Sequence, residues 1–353
     1  MRRRRAHTVA MNILILGGTR NIGHFLTHRL VADGHRVAVL NRGRTPDELP
    51  VSVERLVADR TERSQLEQVL RGRTFDVVVD NALYKASEAE MSIELLRGRA
   101  GRYIFLSTGQ VYLVREGLQR PFKESDYLGR VMPAPKAGSY GLEEWSYGMD
   151  KRRVEDAMAS AWEMHRFPFT SLRLPMVNSE RDHFFRLYNY VLRLKDGSPI
   201  LAPETPNYAL RHVYGQDVVE AIIRLIETGI GIGKAYNISQ DETVGLEEFL
   251  EIVAGLLGVE ARIERLPFKK LEAQGFLPDC SPFSERWMSE LDNTVSKQEF
   301  SMVYTPLTEY LEKLVRHYTT NPPPKTASYR RRRAETAFLE FARQAAAETT
   351  AAE

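Results

Sequence analysis

The segment Asn12-Ile13-Leu14-Ile15-Leu16-Gly17-Gly18-Thr19-Arg20-Asn21-Ile22-Gly23 runs from an apolar stretch straight into a glycine turn. Ile13 to Leu16 reads as a buried strand, because a short uninterrupted apolar run bounded by a turn is what a strand covered on both faces shows. A helical pattern follows, with Phe25, Leu26, Leu30 and Val31 on one face and Asp33-Gly34 as its end. Val37 to Leu40 is a second strand. Strand, glycine turn, helix, strand is the first half of a dinucleotide-binding unit. The backbone there must turn tightly and lie against a pyrophosphate, and the helix N-terminus points free N–H groups at it. Gly17, Gly18, Thr19, Arg20, Asn21, Ile22 and Gly23 are therefore candidate cofactor-binding residues. A glycine motif alone is weak evidence, and the strand before it and the helix after it supply the context. Arg20 stands where the usual fingerprint has its middle glycine. Its guanidinium reads equally as a phosphate contact and as a solvated charge.

The end of the second strand bears on the choice of cofactor. A carboxylate there accepts bonds from a ribose 2′-hydroxyl, whereas arginine accommodates a 2′-phosphate. This chain has Asn41, Arg42, Gly43 and Arg44 there and no carboxylate, which favours NADP(H) over NAD.

The bulk numbers set wide limits. A chain of 353 residues can bury a large core and form two lobes. A formal net charge of +2 points to no general affinity for nucleic acid or membranes. No apolar run approaches the roughly 18 residues of a membrane span. The single Cys280 excludes an internal disulfide and a cysteine-rich metal site, and fits a reducing cytoplasm. Met1 to Arg5 is basic without a following apolar region, so residues 1–11 read as a flexible basic leader and not a secretory signal. Arg330 to Arg333, after the Pro322-Pro323-Pro324 linker, reads as a solvated helix face or a partner contact.

Further along, strands and helices alternate. Strands are expected at 53–57, 75–80, 103–106 and 169–174, and helices at 62–71, 86–98 and 144–165. Asp59 and Arg60 follow the third strand, Asn81 and Ala82 the fourth, and Thr108 the fifth. This alternation argues a parallel, doubly wound sheet, whose ligands bind at the C-terminal strand edge. Residues 113–143 read as an irregular excursion bordering the active site. Helices are expected at 183–195, 216–228, 244–257 (with Thr243 as N-cap) and 305–318, with late strands at 235–238 and 260–265. The expected division is a dinucleotide-binding domain over 12–177, to which a strand near 233–239 returns, a smaller α/β substrate lobe over 178–320, and a linker with a helical tail over 321–353.

Tyr147 and Lys151 lie at i and i+4 of the long helix and so share a face. A phenol has an unperturbed pKa of about 10. A nearby ammonium favours its phenolate. Such a pair makes a general acid/base for a substrate hydroxyl, which Thr108 can orient.

These pieces together resemble the extended short-chain dehydrogenase/reductase family, in the group of NAD-dependent epimerases/dehydratases. The matching stretches are 17–23, Ala58-Asp59-Arg60, Leu106-Ser107-Thr108-Gly109-Gln110-Val111-Tyr112, Tyr147-Gly148-Met149-Asp150-Lys151, 172–177 and 211–219. The resemblance implies a Rossmann-like sheet and a catalytic Thr108, Tyr147 and Lys151, with Lys151 also holding a nicotinamide ribose. It implies that Asp59 bonds the adenine, that Arg60 also meets the cofactor, that Asn81 and Ala82 line its ribose and nicotinamide side, that Pro175 to Val177 cradle the nicotinamide, and that Arg211 and Tyr112 meet the substrate. It implies a small-molecule partner, a nucleotide sugar, and a homodimer through the helices flanking the sheet. The Gly-Gly-Thr-Arg turn resembles a branch that includes plant chloroplast stem-loop RNA-binding proteins, but Tyr147, Lys151 and the small net charge argue against nucleic acid. Gly109-Gln110 replaces the Asp-Glu pair of sugar 4,6-dehydratases, which disfavours dehydration. Hydride transfer at a secondary alcohol or ketone is the expected chemistry, as a nucleotide-sugar epimerase or, alternatively, an NADPH-dependent carbonyl reductase.

Overall fold

The computed structural model describes residues 9–352 apart from 206, with side chains up to residue 344 in the last helix. Most of the basic leader therefore lies outside the described residues. The chain begins with β1 (Asn12–Leu16), α1 (Asn21–Ala32), β2 (Arg36–Asn41), β3 (Glu54–Val57), α2 (Arg63–Leu70), β4 (Val77–Asp80) and α3 (Ala86–Leu96). It continues through β5 (Tyr103–Thr108), α4 (Gln110–Leu113), α5 (Tyr140–His165), β6 (Phe169–Leu174), β7 (Val177–Asn178), α6 (Arg186–Asp196), β8 (Ile200–Pro203), β9 (Val213–Tyr214), α7 (Gly215–Thr228) and β10 (Lys234–Asn237). It ends with α8 (Leu246–Leu257), β11 (Ile263–Leu266), α9 (Phe268–Ala273), α10 (Thr294–Phe300), α11 (Leu307–Thr320), α12 (Ala327–Arg330) and α13 (Arg332–Ala352).

Two units emerge. The first takes the residues up to Val177, Val213–Ser239 and Ser289–Tyr304, and the second takes Asn178–His212, Gln240–Met288 and the chain from Thr305 onward. The first unit is a seven-stranded sheet in the order β10-β6-β5-β4-β1-β2-β3. Every pairing in it is parallel: Ile13 faces Val37 on one side and Val77 on the other, and Lys234 faces Thr170 at the far end. Successive residues of β1 go to opposite cores, as strand geometry requires. Ile13 and Ile15 pack with Leu26 and Leu30 of α1 and Ile222 of α7, while Leu14 and Leu16 pack with Leu66, Leu96 and Met158 of α2, α3 and α5. A parallel sheet covered on both faces explains runs such as Val77–Val79, apolar without alternation. This is a Rossmann-like doubly wound α/β fold.

The second unit is mostly helical, with β8 and β11 as a parallel pair. Leu201, Leu271, Phe276, Cys280 and Leu339 form one of its cores. Arg193 is fully buried and pairs with Glu335 of α13 at 2.6 Å. Arg332 reaches the same carboxylate at 3.2 Å and Asp196 at 2.8 Å. Arg331 donates to the carbonyls of Gln274 and Gly275. The arginine run is thus not simply a solvated face: Arg332 is buried, Arg331 is bonded to backbone, and only Arg330 and Arg333 are exposed. Thr243 is not the cap of α8 either. Val244 is held in a bridge to Leu210, so the helix starts only after Gly245. Among the described residues no helix is long and apolar enough to cross a membrane, and no cluster of His, Cys, Asp or Glu is arranged to hold a metal.

Candidate active site

The glycine turn after β1 is built by close approach. Gly17 has φ +80°, a left-handed conformation that glycine adopts without penalty. A Cβ on Gly23 would lie 2.3 Å from the Gly17 carbonyl oxygen and 2.8 Å from the Gly18 Cα, so only glycine lets α1 sit this near the turn. Thr27 locks the arrangement by donating its hydroxyl to the Gly23 carbonyl at 2.7 Å. Arg20, the N-cap residue, makes no side-chain cap, and the first turn of α1 carries no acidic residue. The first N–H groups of α1 therefore meet no carboxylate from their own helix, which suits a pyrophosphate. Asn81, at the end of β4, is also poised for a ligand: its buried Oδ1 has no hydrogen-bond partner among the described residues, while its Nδ2 leans on the Gly17 carbonyl at 3.5 Å. Ala82 lies against the same turn, 3.2 Å from where a Gly17 Cβ would be. These residues fit a nicotinamide dinucleotide.

At the end of β2, the Asn41 side chain accepts from the Gly43 N–H at 2.7 Å and turns the chain so that Arg42 and Arg44 are exposed. Arg20 points toward this loop, donating to Thr45 at 3.1 Å. Asp59 accepts from the N–H and hydroxyl of Thr61, and those bonds hold its carboxyl below its ordinary value, with a smaller pull from Arg42 and Arg44. Arg60 has a different role from the expected cofactor contact. It grips the fully buried Asp80 with two bonds, at 2.7 and 2.9 Å. Burial pushes the Asp80 carboxyl up, but Arg60 and the Tyr103 hydroxyl outweigh that and hold it below its ordinary value.

The catalytic candidates meet at the C-terminal end of β5. A cavity of about 160 Å³ is lined by Asn81, Tyr84, Leu106, Ser107, Thr108, Tyr147, Lys151, Leu174, Pro175 and Val177. Gly148 makes this convergence sterically feasible: a Cβ there would meet Val114 at 2.7 Å and the Gln110 carbonyl at 2.9 Å, so α5 packs directly on α4. Lys151 is buried and donates to the carbonyls of Leu83 at 2.7 Å and Leu106 at 2.9 Å. Its ammonium stands 6.0 Å from the centre of the Tyr147 ring. Burial pulls the lysine down to about 8, against the attraction of Asp80 and Glu155. Thr108 accepts from the Gln110 N–H at 3.3 Å.

One expected substrate contact lies in the core instead. Tyr112 is fully buried, accepting from Arg173 at 2.7 Å and donating to Asn237 at 2.8 Å, so its hydroxyl is committed to the core. Arg211 belongs to the second unit, where it donates to the Gln240 carbonyl at 2.9 Å. Residues 113–143 supply none of the cavity's lining. Tyr84, which no motif contains, and Ser107, which lies inside the 106–112 stretch but is assigned no role there, also line it. The available signal is position: each follows or ends a strand at the ligand-binding edge.

The family model for the NAD dependent epimerase/dehydratase family matches residues 13–239. The chain is 28% identical over 251 residues to the Arabidopsis thaliana chloroplast stem-loop binding protein of 41 kDa b, a match covering 66% of this chain and 59% of that protein. It is 26% identical over 152 residues to the 2'-dehydrokanamycin reductase of Streptomyces kanamyceticus, covering 43% of this chain and 39% of the reductase. The matched stretch thus spans less than two thirds of either relative. Among solved structures, the Thermus thermophilus UDP-glucose 4-epimerase complex with NAD is similar with a TM-score of 0.67 and 20% identity, covering 88% of this chain and 100% of that one. With the glycine turn, the seven-stranded parallel sheet and the family match in agreement, this chain belongs to the NAD-dependent epimerase/dehydratase family, an enzyme family of the extended short-chain dehydrogenase/reductase type.

Proposed function

We propose that the protein is an NAD(P)-dependent enzyme that moves hydride to and from a secondary alcohol or ketone, with a nucleotide-sugar epimerisation as its net reaction. The observation that carries this is the gathering of Thr108, Tyr147 and Lys151 around one cavity with Asn81, Pro175 and Val177. The dinucleotide, when bound, supplies the hydride acceptor and donor. Tyr147, as phenolate, takes the proton of the substrate hydroxyl, and as phenol returns one to the ketone. Thr108 donates a hydrogen bond to the same substrate oxygen. The Lys151 ammonium favours the phenolate form by its charge. Were the ketone to turn over within the site, return of the hydride to its other face would give the epimer. The absence of an acidic pair after Thr108 supports this over dehydration, since Gln110 is an amide bonded to Glu144. The likeness to a UDP-glucose 4-epimerase supports a nucleotide sugar as substrate.

A second reading, an NADPH-dependent carbonyl reductase, rests on the exposed Arg42 and Arg44 beside Asp59, and on the likeness to 2'-dehydrokanamycin reductase. In both readings Tyr147 does the proton transfer. Tyr147→Phe should lower turnover by about 100- to 10,000-fold while leaving cofactor affinity intact. Wild-type turnover in that variant would remove Tyr147 from the mechanism.

A further inference from the structure

Tyr84 lines the cavity as an aromatic alongside Tyr147. It is 48% exposed, which for an isolated surface side chain would need no explanation. Its setting is unusual because the loop that carries it is pinned at every step. The Asn81 N–H donates to the Leu16 carbonyl at 3.0 Å, and the Ala82 N–H to Asp80 at 3.0 Å. Lys151 holds the Leu83 carbonyl at 2.7 Å. The Tyr84 N–H donates to Glu88 at 2.9 Å, and Lys85 pairs with Asp150 of α5. The Lys151 ammonium lies over the Tyr84 ring, 4.9 Å from its centre. A large half-exposed ring on a fixed backbone is a preorganised binding surface.

We propose that Tyr84 determines substrate specificity in this cavity, its ring forming the wall against which the saturated ring of a hexopyranose packs. The inference deepens the epimerase reading and rests on it. Apart from Asn81, Pro175 and Val177, which the cofactor would occupy, the cavity is divided chemically: Thr108, Tyr147 and Lys151 offer polar groups, while Tyr84, Leu106 and Leu174 offer apolar surface. A hexopyranose is divided in the same way, with hydroxyls at its rim and C–H groups on its faces. Aromatic rings bury large area with defined geometry, which suits them to such a face. Asn81 and Ala82 adjoin the glycine turn, whereas Tyr84 stands further along the loop, beside Lys151. Burial and the nearby Asp80 push the Tyr84 phenol above its ordinary value, so it stays protonated and does not compete with Tyr147 as a base.

The test titrates UDP-glucose and UDP separately into the full-length protein saturated with NAD, in the wild type, Tyr84→Ala and Tyr84→Phe, and measures NAD affinity for each. We expect Tyr84→Ala to weaken UDP-glucose binding about tenfold and Tyr84→Phe to stay within about twofold of wild type, with UDP and NAD affinities unchanged in both. Undiminished UDP-glucose binding by Tyr84→Ala overturns the proposal alone. So does a parallel fall in NAD affinity, which would make Tyr84 a cofactor wall. An equal loss in Tyr84→Phe also overturns it, because the hydroxyl and not the ring would then be the contact. A wild-type protein that binds UDP but gains nothing from the hexose, or binds neither, overturns it together with the nucleotide-sugar reading.

Discussion

Lys151 shows how burial and function pull on one side chain. Its amine falls from an ordinary 10.5 to about 8 because it is buried, with Asp80 and Glu155 opposing and Arg60 assisting the fall. Between those pH values the unfolded chain keeps the proton that the folded chain gives up. Folding stability from this group therefore rises as pH increases through that window, and the charged lysine is a burden below it. Catalysis runs the other way, since loss of the ammonium removes the charge that favours the Tyr147 phenolate. The pH profile of kcat/KM should accordingly show an alkaline limb near 8, with no loss of folded protein over the same range by circular dichroism. A flat profile through pH 9, roughly one unit above that limb, would show that the lysine charge is not needed. Arg60 and Tyr112 occupy motif positions, yet one braces Asp80 and the other bonds Arg173 and Asn237. Those partners lie far away in sequence, and nothing local announces them.

At the scale of elements, the strands of the first unit were legible because burial on both faces leaves an apolar run with turn signals at its ends. Helix starts were less so. The helix bearing Tyr147 begins at Tyr140, four residues before the apolar pattern suggests, because Ser139 caps it by accepting from the Leu142 N–H. β8 carries little sequence signal because it is four residues long, follows Pro199, ends on Pro203 and pairs with β11 about sixty residues away. The α1 turn, by contrast, is a sequence signal with a steric meaning. Adding a methyl at Gly23 sets it against two backbone atoms that cannot move independently of the turn. Gly23→Ala should cost about 1–3 kcal/mol of stability by thermal unfolding. It should also lower NAD(P)H affinity about tenfold or more by calorimetry. An unaltered cofactor affinity would mean that this turn does not hold the pyrophosphate.

Across the whole molecule, each unit is assembled from three separate chain segments, so its stability rests on contacts distant in sequence. In the second unit Glu335 receives both Arg193 and Arg332, all three buried. Removing one partner of a buried ion pair strands the other charge in a medium that cannot solvate it, at about 3–5 kcal/mol. Glu335→Ala should lower the urea midpoint of the second unit's transition accordingly, and an unchanged midpoint would show that this ion pair does not hold the unit together. In the proposed reading one dinucleotide would be held in the first unit by the glycine turn, by the Asn81 Oδ1 that has no partner among the described residues, and by the exposed Arg42 and Arg44. The direct measurement is to identify any nucleotide released when the purified protein is denatured, then titrate NADPH and NADH into the emptied protein. A nicotinamide dinucleotide should bind, one per chain. Retained NAD would mark the epimerase reading, and an exchanging preference for NADPH would mark the reductase reading. Binding of neither would contradict the assignment of this cavity to hydride transfer.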